Sequence, residues 1–436
     1  MKRIIVVLAV LLTGFFAFAE GQGENGGASA AAAGSLDMKG RVLRYIAWWN
    51  PAPNEEMWKL KVAHLEEKYN FKLENINSGG WQSHHDDLVA SITAGAPIGE
   101  YVYVDQSFFA GWVAEKLLLP VEGYGIDYSQ PYYHQQKREG FTFLGHEYSI
   151  KDQFIEPSVG WWFNKSMLER EGLESVYDLQ REGKWTWAKM LEMAKACTKD
   201  LDGNGTIDQW GFGEDPLHVA ALAFIASNGG NIMENAQYVM NSPQVLEALQ
   251  FYQDLNLKYK VVAMRPEESE WNWAYYQFGQ GKIAFLPFHY WASDSQFGSP
   301  EDELGWALFP AGPKGEMTSG YYPNNTVVVP AGIKEPQKAL YIWDQIWKPD
   351  PEFTDPDSDP FSWLYTKFYD LESVEETQYM MSVGGKFVPF THEIFGFKSV
   401  WEGIPGEILK GEKTPKVALE EVSPIFEAKL KEILGQ

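Results

Sequence analysis

Between Val42 and Gln106 the chain alternates apolar strand-like runs with helical ones, and this alternation restricts its fold more than any other feature. Val42–Ile46 (VLRYI), Phe71–Ile76 and Tyr101–Val104 (YVYV) each read as a strand. A helix from about Asn54, its N-cap, carries Met57, Leu60, His64 and Leu65 on one face and separates the first two strands. A short helix over Asp86–Thr93, capped by its own aspartates, separates the second and third. Strand, helix, strand, helix, strand predicts a parallel sheet with helices on its faces. Ligands of such sheets sit beyond the carboxyl ends of the strands. Here those ends carry Trp48-Trp49-Asn50, Ser78-Gly79-Gly80-Trp81-Gln82 and Asp105-Gln106.

A second αβ region starts near Pro157. It contains a strand at Val159–Phe163, a helix at Trp187–Cys197, an acidic loop, and a helix at Pro243–Leu255. A strand over Gln280–Phe285 leads into Pro287-Phe288-His289-Tyr290-Trp291. Thr326–Val329 reads as another buried strand, followed by a helix with Leu340, Ile342, Trp343 and Ile346. Lys348–Phe361 (KPDPEFTDPDSDPF) is rich in proline and acid and reads as an exposed loop. Some 400 residues of dense sequence exceed what one core usually supports, so two domains are expected, at roughly 100–200 residues each.

The first residues, MKRIIVVLAVLLTGFFAFAEGQ, have the pattern of a secretory signal peptide. Lys2 and Arg3 precede an apolar run from Ile4 to Phe16, and Ala17-Phe18-Ala19 offers a small-x-small cut after Ala19. The run is too short to span a bilayer, which needs about 20 residues. Without a cysteine at the cut, no lipid anchor is expected. The mature protein is therefore expected to be periplasmic, with residues 20–37 as a Gly/Ala/Ser-rich flexible leader. The formal net charge of −24 argues against nucleic-acid and anionic-membrane partners. The single cysteine, Cys197, excludes an internal disulfide. It lies on the apolar stripe Trp187, Met190, Leu191, Ala194 and Cys197, where a buried, inert thiol is expected. A core can absorb many of the 18 tryptophans, but that many in an acidic chain direct attention to a ligand cleft.

The stretch Thr198–Gly213 (TKDLDGNGTIDQWGFG) offers Asp200, Asp202, Asn204, the Thr206 carbonyl and Asp208 at alternate positions. With Gly205 these match the first nine positions of an EF-hand-type calcium loop. The glutamate required at the twelfth position is replaced by Gly211, and Gln209-Trp210-Gly211-Phe212 reads as a strand. A calcium sensor is thereby excluded. A structural calcium site bracing the cleft wall is expected, against an Asx-turn hairpin without metal. His84-His85-Asp86-Asp87 resembles a metal set, but adjacent helical histidines diverge by about 100°. No Walker loop, G-x-S-x-G elbow or dinucleotide fingerprint is present.

Gly160-Trp161-Trp162-Phe163-Asn164-Lys165-Ser166-Met167-Leu168 with Gly172-Leu173, then Trp185-Thr186-Trp187, occur in a specific order. Phe278–Phe285 (FGQGKIAF), Phe309–Pro313 (FPAGP) and Val329–Lys334 (VPAGIK) follow. In that order the chain resembles family 1 of the extracellular solute-binding proteins of ABC importers, the group that includes the maltose-binding proteins. The resemblance implies an α/β, two-lobe periplasmic binding protein fold of type II. Each lobe is then a mixed sheet flanked by helices, with a hinge of several chain crossings. It implies lobe I from 38–156 and 317–370, and lobe II from 157–316 and a C-terminal part, 371–436. It also implies a monomer that binds a sugar, delivers it to an ABC transporter permease by hinge closure, performs no chemistry and needs no cofactor. In relatives the start of the helix after Glu214-Asp215-Pro216 looks into the cleft, and the position of Gly384–Pro389 lines the C-terminal lobe.

A pyranose presents apolar C–H faces and a rim of hydroxyls, which suit stacked aromatic rings and planar polar side chains. The candidate ligand-binding residues are accordingly Trp48, Trp49, Asn50, Trp81, Gln82, Asp105, Gln106, Asp215, Tyr290, Trp291, Tyr321, Tyr322 and Asn324. As neighbours in an extended chain, Trp48 and Trp49 are expected to face opposite sides. Trp161 and Trp162 are assigned to the core, while Trp271 and Trp273 fit either surface or core. Two other readings stay open. A secreted glycoside hydrolase would use a pair of the 60 acids, and the same fold could box a quaternary ammonium ligand in its aromatics.

Overall fold

The structure is a computed structural model. It describes residues 36–435 apart from 54, 134, 152–158, 216–218, 235–236, 320–324, 355–358, 360, 383–397 and 402. The signal peptide, most of the leader, Asn54, Tyr321, Tyr322, Asn324 and Gly384–Pro389 lie outside the described residues.

The predicted alternation is present. Strands β1 (Arg41–Ala47), β2 (Phe71–Asn77) and β3 (Tyr101–Asp105) are separated by helices α1 (Glu56–Tyr69) and α2 (Trp81–Thr93), and α3 (Gln106–Ala114) follows β3. Both neighbours pair with β1 in parallel, Ala47 opposite Asn77 and Ile46 opposite Val102. Alternate residues feed different cores, as the two-residue period of a strand requires. Leu43, Tyr45, Tyr101 and Tyr103 pack with Val62 and Leu65 of α1, whereas Val102 and Val104 pack with Leu88 of α2 and Phe109 of α3. Two details depart from the sequence reading. The buried face of α1 is Lys61, Val62, Leu65 and Tyr69, leaving Leu60 and His64 exposed. Helix α2 starts at Trp81, after Gly79 turns the chain at φ +93°, a value that favours glycine. Asp86 and Asp87 thus lie mid-helix and cap nothing.

A second sheet is built from β4 (Val159–Asn164), β5 (Trp210–Gly213), β6 (Val262–Ala263), β7 (Ile283–His289) and β8 (Leu304–Ala307), in the order β6-β5-β7-β4-β8. Strand β4 runs antiparallel to β7 and β8, while β5, β6 and β7 are parallel. Helices α4 (Trp187–Cys197), α5 (Val219–Ser227) and α6 (Pro243–Leu257) cover it. The local chemistry explains their starts. Thr186 and Ser242 accept from the amides of Lys189 and Val245, and Pro243 takes the first-turn position that needs no N–H. Trp161, Trp162, Trp185 and Trp306 are fully buried here, so much of the tryptophan content is core. Trp162 and Trp185 donate their indole N–H to the carbonyls of His289 and Leu308. Cys197 is buried, which pushes its thiol up to about 12, as an inert thiol requires.

The chain then returns to the first sheet. Strand β9 (Asn325–Val328) pairs antiparallel with β3, Asn325 opposite Asp105, and α7 (Pro336–Trp347) packs on the β1 side through Leu340 and Trp343. Leu364 and Phe368, which a boundary at 370 would leave with the first sheet, instead join the second core beside α8 (Leu371–Ser382). The C-terminal helix α9 (Pro415–Leu434) buries Leu419, Val422 and Phe426 in that second core. Its last residues, Ile433 and Leu434, also pack against the core beneath α3.

Candidate functional site

The carboxyl ends of β1, β2 and β3 meet the start of β9 along one edge of the first sheet. Trp48 and Trp49 do not split to opposite sides. The chain bends directly after Ala47, and their rings touch edge to face at 4.5 Å. Trp49 also packs on Tyr103 at 4.6 Å. Trp81, the first residue of α2, is 36% exposed and donates its indole N–H to Asp105 Oδ2 at 3.2 Å. The other oxygen of Asp105 caps α3, accepting from the Ser107 amide (2.9 Å) and hydroxyl (2.5 Å). A carboxylate has about four acceptor directions, so Asp105 retains capacity for a ligand hydroxyl.

Two residues the sequence reading set aside support this platform. His84 and His85 are buried beneath the rings, with Trp48 5.3 Å and 5.2 Å from them. His85 stacks on Phe108 at 4.1 Å and closes a circuit between two elements. Its Nε2 accepts from the Asp105 amide (3.0 Å), so its Nδ1 carries the proton donated to the Trp81 carbonyl (2.6 Å). That arrangement requires a neutral ring, and burial lowers its pKa to about 4. His84 contacts the Tyr103 carbonyl through Nε2 and Ser78 Oγ through Nδ1. Their signal in the sequence was adjacency to Trp81, which a search for metal spacing passes over.

Other candidates are placed differently. Gln106 is fully buried, and Gln82 is exposed but bonded along its helix to Asp86 at 2.8 Å. Asn50 is exposed, and its Oδ1 accepts from the Ala52 amide at 3.2 Å.

In the second sheet Glu214 and Asp215 follow β5, Arg265 follows β6, and Tyr290 and Trp291 follow β7. Asp215 is fully buried and accepts from the amides of Val219 (3.0 Å) and Ala220 (3.3 Å), capping α5. Gln106 and Asp215 are thus both buried, and Asp215 holds the start of a helix. Glu214 accepts from the Arg265 amide at 2.8 Å, and burial raises its pKa. Trp291 stacks on His289 at 5.7 Å and Tyr290 meets Trp363 at 5.7 Å, both half-buried. Trp363 escaped the sequence reading because it follows a proline- and acid-rich run. Trp271 is 47% exposed, and Trp273 packs against the core.

Asp200, Asp202 and Asp208 can each bring one carboxylate oxygen within 4.8 Å of the others. Two oxygens on one calcium ion, each at about 2.3–2.6 Å, lie no farther apart than about 5 Å, so the set fits the ion. The amides of Gly203, Asn204 and Gly205 donate to Asp200. Gly211, in place of the glutamate, lies on β5 against α4, where a Cβ would stand 2.0 Å from the Ala194 carbonyl oxygen. No larger residue fits there.

Two α/β units, each ending its parallel strands in aromatic and acidic residues, define a binding protein of the two-lobe periplasmic class, type II. The profile described as bacterial extracellular solute-binding protein matches residues 48–344, and the chain belongs to that family. A cyclo/maltodextrin-binding protein complexed with maltotetraose superposes with a TM-score of 0.66 at 16% identity, covering 89% of this chain and 97% of that one. An ABC substrate-binding protein from Listeria monocytogenes in complex with cycloalternan gives 0.60 at 17%, over 91% and 99%. UgpB from Mycobacterium tuberculosis in complex with glycerophosphocholine gives 0.66 at 12%, over 90% and 99%. Among the described residues no helix is long and apolar enough to cross a membrane.

Proposed function

We propose that the protein is a monomeric periplasmic receptor that closes two lobes over an oligosaccharide and hands it unchanged to the permease of an ABC importer. The observation that carries this reading is the platform of Trp48, Trp49 and Trp81 around Asp105. Flat apolar faces stand beside a carboxylate with acceptor capacity to spare. Similar structures bound to maltotetraose and cycloalternan support the ligand class. Trp291 and Tyr290, beyond the end of β7 in the second sheet, supply the facing contacts, with Tyr321, Tyr322 and Asn324 as further proposed ligand residues. Sugar favours the closed form because only that form makes both sets.

Calorimetry with an oligosaccharide panel tests this. Trp81→Ala and Trp291→Ala are each expected to weaken binding by about tenfold or more, equivalent to ~1.4 kcal/mol, with unchanged thermal unfolding. Wild-type affinity in both variants, or steady release of shorter sugars by the wild type, contradicts the proposal. A quaternary ammonium ligand is the second reading, supported by the similar structure holding glycerophosphocholine. Choline compounds that bind where sugars fail would select it. Calcium is proposed at Asp200, Asp202, Asn204, Thr206 and Asp208 as a structural ion, and its measurable signature is calcium-dependent thermal stability.

A further inference from the structure

The first part of the proline- and acid-rich run is exposed but held in place. Lys348–Thr354 is docked on the first lobe. Lys61, buried on α1, donates to the Lys348 carbonyl, and Phe353 packs on His64 at 5.3 Å. Pro351 opens a single 3-10 turn over Pro351–Phe353, whose cap is Asp350. Facing this segment is the β1–α1 connection, where Pro51 and Pro53 fix φ and lack amide donors. Between the two lies a cleft of about 730 Å³, inside the range of roughly 300–1,000 Å³ typical of small-molecule sites.

Three properties of this cleft point to carbohydrate. Its wall carries the faces of Trp49, Trp58, Trp347 and Phe353. Its rim carries Glu55 and Glu56, both exposed, their carboxylates without a hydrogen bond or ion pair among the described residues. The indole N–H groups of Trp58 and Trp347 are covered and have no acceptor among the described residues. A hydroxyl reaching either through a small ring rotation would satisfy an unmet donor. The cleft is also continuous with the platform, because Trp49 belongs to both.

We infer that this cleft is an additional saccharide subsite, taking the outer units of a chain whose inner units lie against Trp48, Trp81 and Asp105. The inference rests on the sugar-binding reading above. All of the lining comes from the lobe built on the first sheet, so the subsite is complete before the lobes close. A long ligand therefore gains contacts in the open form that a disaccharide does not.

The test is calorimetry of maltodextrin, cellodextrin and xylo-oligosaccharide ladders, each from disaccharide to hexasaccharide. Wild type, Phe353→Ala, Glu56→Gln and Trp81→Ala are compared, with melting curves to establish folding. In the ladder that binds, wild-type affinity should rise with length. Phe353→Ala and Glu56→Gln should lose about tenfold for the longest members and leave the disaccharide unchanged. Trp81→Ala should weaken every length. A wild-type series flat with length, or pocket variants that keep the full length dependence or weaken all lengths equally, overturns the subsite while leaving the sugar reading intact. Failure of every ladder to bind wild type removes both.

Discussion

His85 shows how one side chain can tie a binding platform to pH. Its acceptor role toward the Asp105 amide exists only in the neutral ring, and its folded pKa of about 4 lies below the ordinary 6.5. Between those values the unfolded chain takes up a proton that the folded chain refuses. Stability therefore rises with pH across that window, and this contribution is lost as pH falls through it, by about 3 kcal/mol. Urea midpoints at about pH 4.5 and about pH 7 should differ more in wild type than in His85→Gln, which can still accept from the amide but does not titrate. Equal differences would mean that His85 does not set the response. His84 is shifted in the same direction by burial, so some slope should persist in the variant. Little of this was legible beforehand. A polar pair beside two aspartates suggests metal or surface, and only the fold turns both rings inward under Trp48 and Trp81. The Trp48–Trp49 contact was equally hidden, because side-chain alternation ends where the strand does.

At the scale of elements, the acidic loop, β5 and α4 form one device. The loop closes on itself through the Lys199–Gln209 bridge, and β5 carries its far end to Glu214 and Asp215. Calcium at a concentration ~100-fold above its Kd should add roughly 3 kcal/mol of stability, read as a higher melting temperature. Asp202→Ala should abolish that rise and leave sugar affinity close to wild type; a calcium-independent wild type would exclude the ion. The elements themselves were readable where their burial is simple. Strands covered on both faces give unbroken apolar runs, and Thr186, Ser242 and Pro243 announce helix starts. Helix α2 starts five residues before the aspartates that suggest its cap, because Trp81 and Gln82 also read as part of the strand's ligand-facing end. The Lys348–Thr354 segment is largely exposed, as its composition suggests, but that composition hides the contacts of Lys61 and Phe353 that hold it.

For the whole molecule, two sheets with the active ends of their strands edged by aromatics predict a change of shape on binding. Small-angle scattering should give a smaller radius of gyration when a binding oligosaccharide is added, and Trp291→Ala should blunt the change at equal sugar concentration. An unaltered profile at saturation would mean that the lobes do not close. The order of motifs was enough to reach this architecture, because the family constrains connectivity more tightly than any single residue. The final helix was legible only as a helix, not as a link. It is rooted in one half by Leu419, Val422 and Phe426, and its tip residues Ile433 and Leu434 pack both there and on the other half, beneath the helix capped by Asp105. Any rotation of the halves must slide that tip across its seat. If the lobes close on a ligand as proposed, changing those two residues should shift affinity although neither is among the proposed ligand-binding residues.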